Sequence, residues 1–272
     1  NMATQSDGSY ILVGDFTSYG NIVKINPDNS ISLDFDNNIG TGFNLISLDV
    51  KVESTGDIIV CGAFSLFNGL TARRLSRLSP TGILDSSFQS NMGSGFNTNV
   101  HCVELQSDGK ILAGGDFTSL NGTTRNRMVR LNVDGTHDSA FYTNISTGFN
   151  ATVIRIKVQS DGKILVGGGF STFKGATRRG LVRLNSDGTE DVTFYTNLGT
   201  AFNSSINCIE IQSDGKILVG GAFKTLNGVT VGRLARLNSD GTPDTTFNTE
   251  IGIGFDGPIR SISIQPDGKI VV

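Results

Sequence analysis

The sequence predicts an all-β fold, a β-propeller of four-stranded antiparallel blades at about 53 residues per repeat, from three observations. The first is a phrase. QSDGKILVGG occupies residues 159–168 and again 212–221, and looser copies start at Gln5, Glu53, Gln106 and Gln265. Their turn glycines, Gly8, Gly56, Gly109, Gly162, Gly215 and Gly268, are separated by 48 and then four times by 53 residues. The second is the phenylalanines. Phe16, Phe64, Phe117, Phe170 and Phe223 keep the same beat, as do Phe35, Phe88, Phe141, Phe194 and Phe247, and Phe43, Phe96, Phe149, Phe202 and Phe255. The third is composition: 35 glycines, 5 prolines, no tryptophan, and no window of helical length with apolar residues at helical spacing. No helix is expected.

Residues 100–150 serve for an element-by-element reading. VHCVEL alternates apolar and polar residues and reads as a first strand. SDGK is a tight turn whose glycine tolerates positive φ. KILAGGDF is a continuous apolar run, expected as a buried second strand, and its doubled glycines mark places where a neighbouring blade comes close. RMVRLN, the turn NVDGT and HDSAFY read as a second hairpin that supplies strands three and four. Such a sheet has two apolar faces and nothing to cover them, so copies must stack, and radial stacking also limits exposed edges. The first copy is five residues short between Phe16 and Phe35, a trimmed loop. Residues 1–272 are expected to form one propeller or part of one, five complete repeats and the opening strands of a sixth, excerpted from a longer protein.

Several functions find little support. A formal charge of −3 offers no basic footprint for nucleic acid, and no run approaches 18 apolar residues, so no membrane span is expected. Cys61, Cys102 and Cys208 read as small buried hydrophobes. His101 and His137 stand at different phases of their repeats without an evident serine or cysteine partner, and no catalytic residue, cofactor or metal is expected. The NxDGTxD segments 132–138, 185–191 and 238–244 raise calcium binding, but they lack the distal acid of an EF-hand loop. A hairpin turn is the expectation.

Two polar patterns stand out. Arg77, Arg130, Arg183 and Arg236 are each followed eight residues later by Asp85, Asp138, Asp191 and Asp244, while the first copy changes both partners, to Lys24 and Ser32. Paired replacement points to structural Arg–Asp pairs across strands three and four. Along the first strands, Lys51, Glu104, Lys157, Glu210 and Ser263 share one position flanked by apolar residues, which predicts salt bridges between neighbouring repeats. The variable connection between strands two and three carries Arg73, Arg74, Arg125, Arg127, Arg178, Arg179 and Arg233, the candidate partner-binding rim.

The patterns QxDGKILVGGxF, NGxxxxRxxRLNxDGTxDxxF and GF make the chain resemble the delta-60 repeat, a β-propeller family of long bacterial and phage proteins. The resemblance implies the propeller strongly and function weakly. The function expected is a non-catalytic scaffold or docking module of a cell-surface or virion protein, partnered by another protein or by the rest of its own chain. Glycan binding through the rim loops is the alternative, and a polysaccharide-acting enzyme the third reading.

Overall fold

The computed structural model describes residues 1–272, apart from the Thr17 side chain. The chain divides into two compact units, Asn1–Ser139 and Ala140–Val272. The first unit holds three antiparallel sheets, built from Met2–Thr4, Tyr10–Val13 and Ile22–Ile25, from Ser47–Val52, Ile58–Gly62 and Leu75–Leu78, and from Val100–Leu105, Ile111–Gly115 and Met128–Leu131. The second holds sheets of Val153–Val158, Ile164–Gly168 and Leu181–Leu184, of Ile206–Ile211, Ile217–Gly221 and Leu234–Leu237, and a pair, Ser263–Ile264 with Ile270–Val271.

In each three-stranded sheet the second strand is central. Side chains alternate along a strand, and here both faces are covered. Ile58 and Val60 join Ile11, Phe35 and Phe43 of the preceding repeat, while Ile59 and Cys61 join Phe88, Val103 and Phe117. That is why this strand reads as a continuous apolar run rather than an alternating one. In the second unit the same logic gathers Leu165, Phe194, Ile209, Val219 and Phe223. Phenylalanines link consecutive repeats: Phe43 meets Phe64 with ring centroids 4.0 Å apart, and Phe202 meets Phe223 at 4.5 Å. Of the fifteen phenylalanines in register, only Phe16, Phe247 and Phe255 escape full burial.

The doubled glycines divide their work. A Cβ on Gly167 would lie 2.9 Å from Ile206 and Ile209 of the next repeat, the close approach expected. The second glycine, Gly168 or Gly221, instead abuts the backbone of its own first strand where the register shifts by a bulge.

Two expectations are corrected. The sheets have three strands, and the expected fourth shrinks to single bridges such as Leu131↔His137 and Leu184↔Glu190. Helices, none of which was expected, follow those bridges: α1 (Leu33–Ile39), α2 (Ser86–Asn91), α3 (Ser139–Ile145), α4 (Val192–Leu198) and α5 (Thr245–Glu250). Helices this short are marginal in isolation and owe their existence to caps and packing. Asp85, Asp191 and Asp244 each accept a hydrogen bond from the backbone N–H three residues on. The helical phenylalanine then packs on the next repeat's turn, Phe88 at Gly135 and Phe194 at Gly241, where a Cβ would come within 2.9 and 2.7 Å. Both glycines also need positive φ, 87° and 96°. At the end of the helix, Asn91 Nδ2 donates to Asp134 O at 2.8 Å and Asn197 Nδ2 to Asp240 O at 2.9 Å. The helices α1 to α4 thus each close the turn of the repeat that follows.

Candidate functional site

The predicted Arg–Asp pairs meet, and each is part of a larger cluster. Arg130 Nε donates to Asp138 Oδ2 at 3.0 Å, Arg183 Nε to Asp191 at 3.0 Å and Arg236 Nε to Asp244 at 2.9 Å. Lys110, Lys163 and Lys216, the lysines of the DGK turns, reach the same carboxylates at 3.0, 2.9 and 3.1 Å. In the second repeat Arg77 holds Asp85 at 2.7 Å and approaches Glu53 at 3.9 Å, and an aspartate, Asp57, stands where the lysine would be. In the first, Lys24 turns to Asp7 at 3.7 Å, and Ser32 makes no capping bond. Burial pushes the Asp191 carboxyl up, but Lys163, the Phe194 N–H and Arg183 outweigh it and hold the group below the usual carboxylate range. Asp85 and Asp244 are lowered in the same way, against burial, by the helix N–H and their cations. Arg183 also lies 4.1 Å from the Phe194 ring centroid, which joins the ion pair to the joint between repeats.

The NxDGTxD segments are self-closed turns. Asp134 Oδ1 accepts from the Thr136 N–H at 2.9 Å and from its hydroxyl at 2.6 Å. Those bonds hold the Asp134 carboxyl below its ordinary value.

The seven candidate rim arginines do not form one outward surface. Arg74, Arg127 and Arg233 adopt left-handed backbone, φ 74°, 69° and 74°, and Gly180 occupies the same register at 77°. That conformation turns each guanidinium inward to a carbonyl, Arg74 Nη1 to Ala63 O at 2.9 Å, Arg127 to Asp116 O and Arg233 to Ala222 O at 3.1 Å. Arg73, also left-handed at φ 58°, is half-buried. Arg125 is buried and donates to His137 Nε2 at 2.9 Å, while Arg178 pairs with Glu190 and stacks 3.6 Å from the Tyr195 ring centroid. Only Arg179 is exposed.

Short hairpins lie inside this connection, Leu66–Phe67 with Leu70–Thr71, Ser119–Leu120 with Thr123–Thr124, Thr172–Phe173 with Ala176–Thr177, and Thr225–Leu226 with Val229–Thr230. Their turns are Asn-Gly, or Lys174-Gly175, with both residues at positive φ, a signal present in the sequence. A second device was missed: the asparagine of each GFN motif accepts two backbone N–H bonds from the following repeat, as Asn97 does from Thr118 and Ser119.

Where the hairpins of the fourth and fifth repeats come together, a cavity of about 370 Å³ opens, lined by Thr177, Arg179, Tyr195, Asn203 and Thr225. Its aromatic wall is stiffened by Arg178, and Arg179 stands at the lining with its charge exposed.

The first strands carry the remaining polar groups. Lys51 Nζ meets Glu104 at 2.8 Å in the first unit, and Lys157 meets Glu210 at 2.9 Å in the second. Asp49, 5% exposed, accepts from the Val103 N–H of the next repeat at 3.1 Å, and His101 Nε2 lies 2.7 Å from Asp116. All three cysteines are buried free thiols, and burial pushes Cys208 up to about 11. Among the described residues, no group of three or more histidine, cysteine, aspartate or glutamate side chains is arranged to hold a metal ion. Among the described residues, no helix is long and apolar enough to cross a membrane.

A repeated sheet of this kind is found in known proteins. Residues 5–31, 53–88, 106–141, 159–194 and 212–247 match the family described as "Domain of unknown function (DUF5122) beta-propeller", more than half of the chain, and the protein belongs to that family. No curated protein matches it. Among solved structures it is similar to the WD40 beta propeller domain of Doa1, at 13% identity and a TM-score of 0.57 over 99% of this chain and 73% of that one. It is also similar to the extracellular domains of BT4673 and BT3049 from B. thetaiotaomicron, at 11% and 14% identity with TM-scores of 0.56 and 0.51. The chain covers 98% and 99% of itself in those matches but spans only 30% and 31% of the two B. thetaiotaomicron chains. At such identities the likeness is one of fold.

Proposed function

We propose that the protein is a non-catalytic docking module of a larger cell-surface or virion protein, each repeat forming one blade, with its hairpin-bearing loops as the face that meets a protein partner. The delta-60 resemblance, a family of long repeat proteins, agrees with this setting. One observation carries the reading: the repeated charges are consumed by one another, Arg with Asp and Lys, Lys with Glu, which yields a stiff frame. What is left for recognition is the concave loop region around Arg179 and Tyr195. A rigid frame with pocketed loops suits docking, because little ordering entropy is lost on association.

A glycan is the second reading, favoured by the same cavity, since Tyr195 offers a ring wall and Thr177, Asn203 and Thr225 offer hydroxyl and amide groups. The test is a glycan array and a panel of polysaccharide hydrolysis assays on the wild type, alongside binding of co-purified partners to the wild type and Arg179→Glu. Partner binding lost in Arg179→Glu, with melting unchanged and no hydrolysis, supports docking. Glycan capture that depends on Tyr195 supports the second reading, and turnover of any polysaccharide overturns both.

A further inference from the structure

We propose that the two ends of the sheets are docking surfaces for a second copy of this chain, the basic end of one copy meeting the acidic end of the next. The inference goes beyond the docking reading and does not rest on it. It starts from how the strands run. In an antiparallel sheet the hairpin turns lie at one end and the connections between second and third strands at the other. Neighbouring repeats within a unit point the same way, since Lys51 pairs with Glu104 and Lys157 with Glu210 at matched positions, and Asn91 and Asn197 each reach the turn of the repeat that follows. Each unit therefore has a turn end and a connection end.

The charges are sorted between these ends. The four full-length connections, 63–74 and 116–127 in the first unit and 169–180 and 222–233 in the second, carry nine lysines and arginines and one acid, Asp116. The hairpin turns carry ten aspartates against four lysines, of which Lys110, Lys163 and Lys216 are already held by Asp138, Asp191 and Asp244. On the connection end Arg74, Arg127, Lys174 and Arg233 donate to carbonyl oxygens, which leaves their charge uncancelled. On the turn end, among the described residues, Asp28, Asp57 and Asp134 of the first unit and Asp161, Asp214 and Asp240 of the second form no salt bridge. Hydrogen bonds from Ser30, Thr136 and Thr242 hold Asp28, Asp134 and Asp240 below the usual carboxylate range, so they are charged at neutral pH.

In the first unit the same two ends also expose apolar side chains, Leu45, Leu66 and Leu70 with the arginines and Ile83 and Val133 with the aspartates. Apolar side chains set among cations at one end and among carboxylates at the other make two surfaces that complement each other. The formal charge of −3 leaves little repulsion between copies. The two surfaces are different patches, so the contact is heterologous, leaves a free end on each copy and builds open stacks rather than a closed dimer.

The experiment is sedimentation of the intact protein over a concentration series. At about 10 mM salt, where exposed charges act over about 30 Å, the average mass should climb at least about twofold above the 28.8 kDa of one chain, and at about 1 M, where they act over about 3 Å, it should return to that value. Two variants locate the contact. Leu70→Glu, Lys174→Glu and Lys224→Glu together place negative charge on the basic end, at three exposed side chains. Asp57→Lys, Ser160→Lys and Ser213→Lys together place positive charge on the acidic end, the first copying the lysine of the sister turns and the other two replacing exposed serines. Each variant alone should stay monomeric in low salt, because its altered end repels its normal partner. An equimolar mixture should associate again, because the two altered ends attract each other, and that recovery shows that both variants fold. A wild type that stays monomeric in low salt, association that survives high salt, single variants that associate as the wild type does, or a mixture that stays monomeric overturns the proposal. Polyglutamate is the rival probe: if it binds the wild type and not the first variant while the wild type stays monomeric, the basic end serves an acidic partner instead and the proposal falls. Arg179 is kept in every variant, so the docking reading stands or fails by its own test.

Discussion

Replacing Asp191 by alanine strands a buried cation. Its Oδ2 accepts from Lys163 at 2.9 Å and from Arg183 at 3.0 Å, and its Oδ1 caps α4 through the Phe194 N–H at 3.2 Å. The Arg183 side chain is 7% exposed and cannot turn to water, whereas Lys163, at 34%, can. Breaking a buried pair costs about 3–5 kcal/mol, a lost N-cap about 1 kcal/mol, and a surface pair about 0–1 kcal/mol. The groups share one carboxylate, so these do not add in full, and a loss of about 4 kcal/mol is expected. At about 2 °C per kcal/mol for a chain of this size, the melting temperature should fall by roughly 8 °C. Guanidinium denaturation followed by circular dichroism measures it, with Asp191→Asn beside it, which keeps a cap and should recover about 1 kcal/mol. A loss of less than about 1 kcal/mol for Asp191→Ala would refute the buried-hub argument and reduce the cluster to surface charge.

Ser32→Asp should stabilise the first repeat by about 1 kcal/mol, since Ser32 makes no capping bond, and an unchanged denaturation midpoint would count against it. Phe194→Ala, deleting a ring 1% exposed, should cost about 3–5 kcal/mol in the same assay. Gly167→Ala puts a methyl 2.9 Å from Ile206 and Ile209 and should cost about 1–3 kcal/mol. The lowered carboxylates Asp85, Asp191 and Asp244 contribute in full above about pH 4 and lose that contribution as pH falls through their lower folded values. Burial, then Arg125, holds His137 below its ordinary 6.5, so stability should also slip as pH drops from there, a slope that His137→Gln removes. Cys208, pushed up to about 11 by burial, should resist iodoacetamide at pH 8 until the protein is unfolded.

What could be read in advance was what repeats. The period, the buried second strand, the Arg–Asp spacing and the Lys–Glu alternation each appear several times, so chance is averaged away. The helices escaped because six or seven residues make under two turns, too few for a 3.6-residue period, and their real signal is an aspartate three residues before a phenylalanine. The loop arginines misled for a different reason. Arginine in a variable connection suggests solvent, yet Arg74, Arg127 and Arg233 turn inward through left-handed backbone, and the glycine at position 180 was the available hint.

The closing of each turn by the helix before it bears on how such a chain can grow. Phe88 needs Gly135, and Asn91 needs the carbonyl of Asp134, so half of every joint is encoded about 45 residues upstream of the other half. A gene duplication therefore has no privileged starting point. Any window of 53 residues carries one copy of each half of the joint, whichever letter it begins on, and splices in with every neighbour relation kept. A window a few residues longer or shorter meets no such indulgence unless the surplus falls in the connection after the second strand, where the first copy is already five residues shorter.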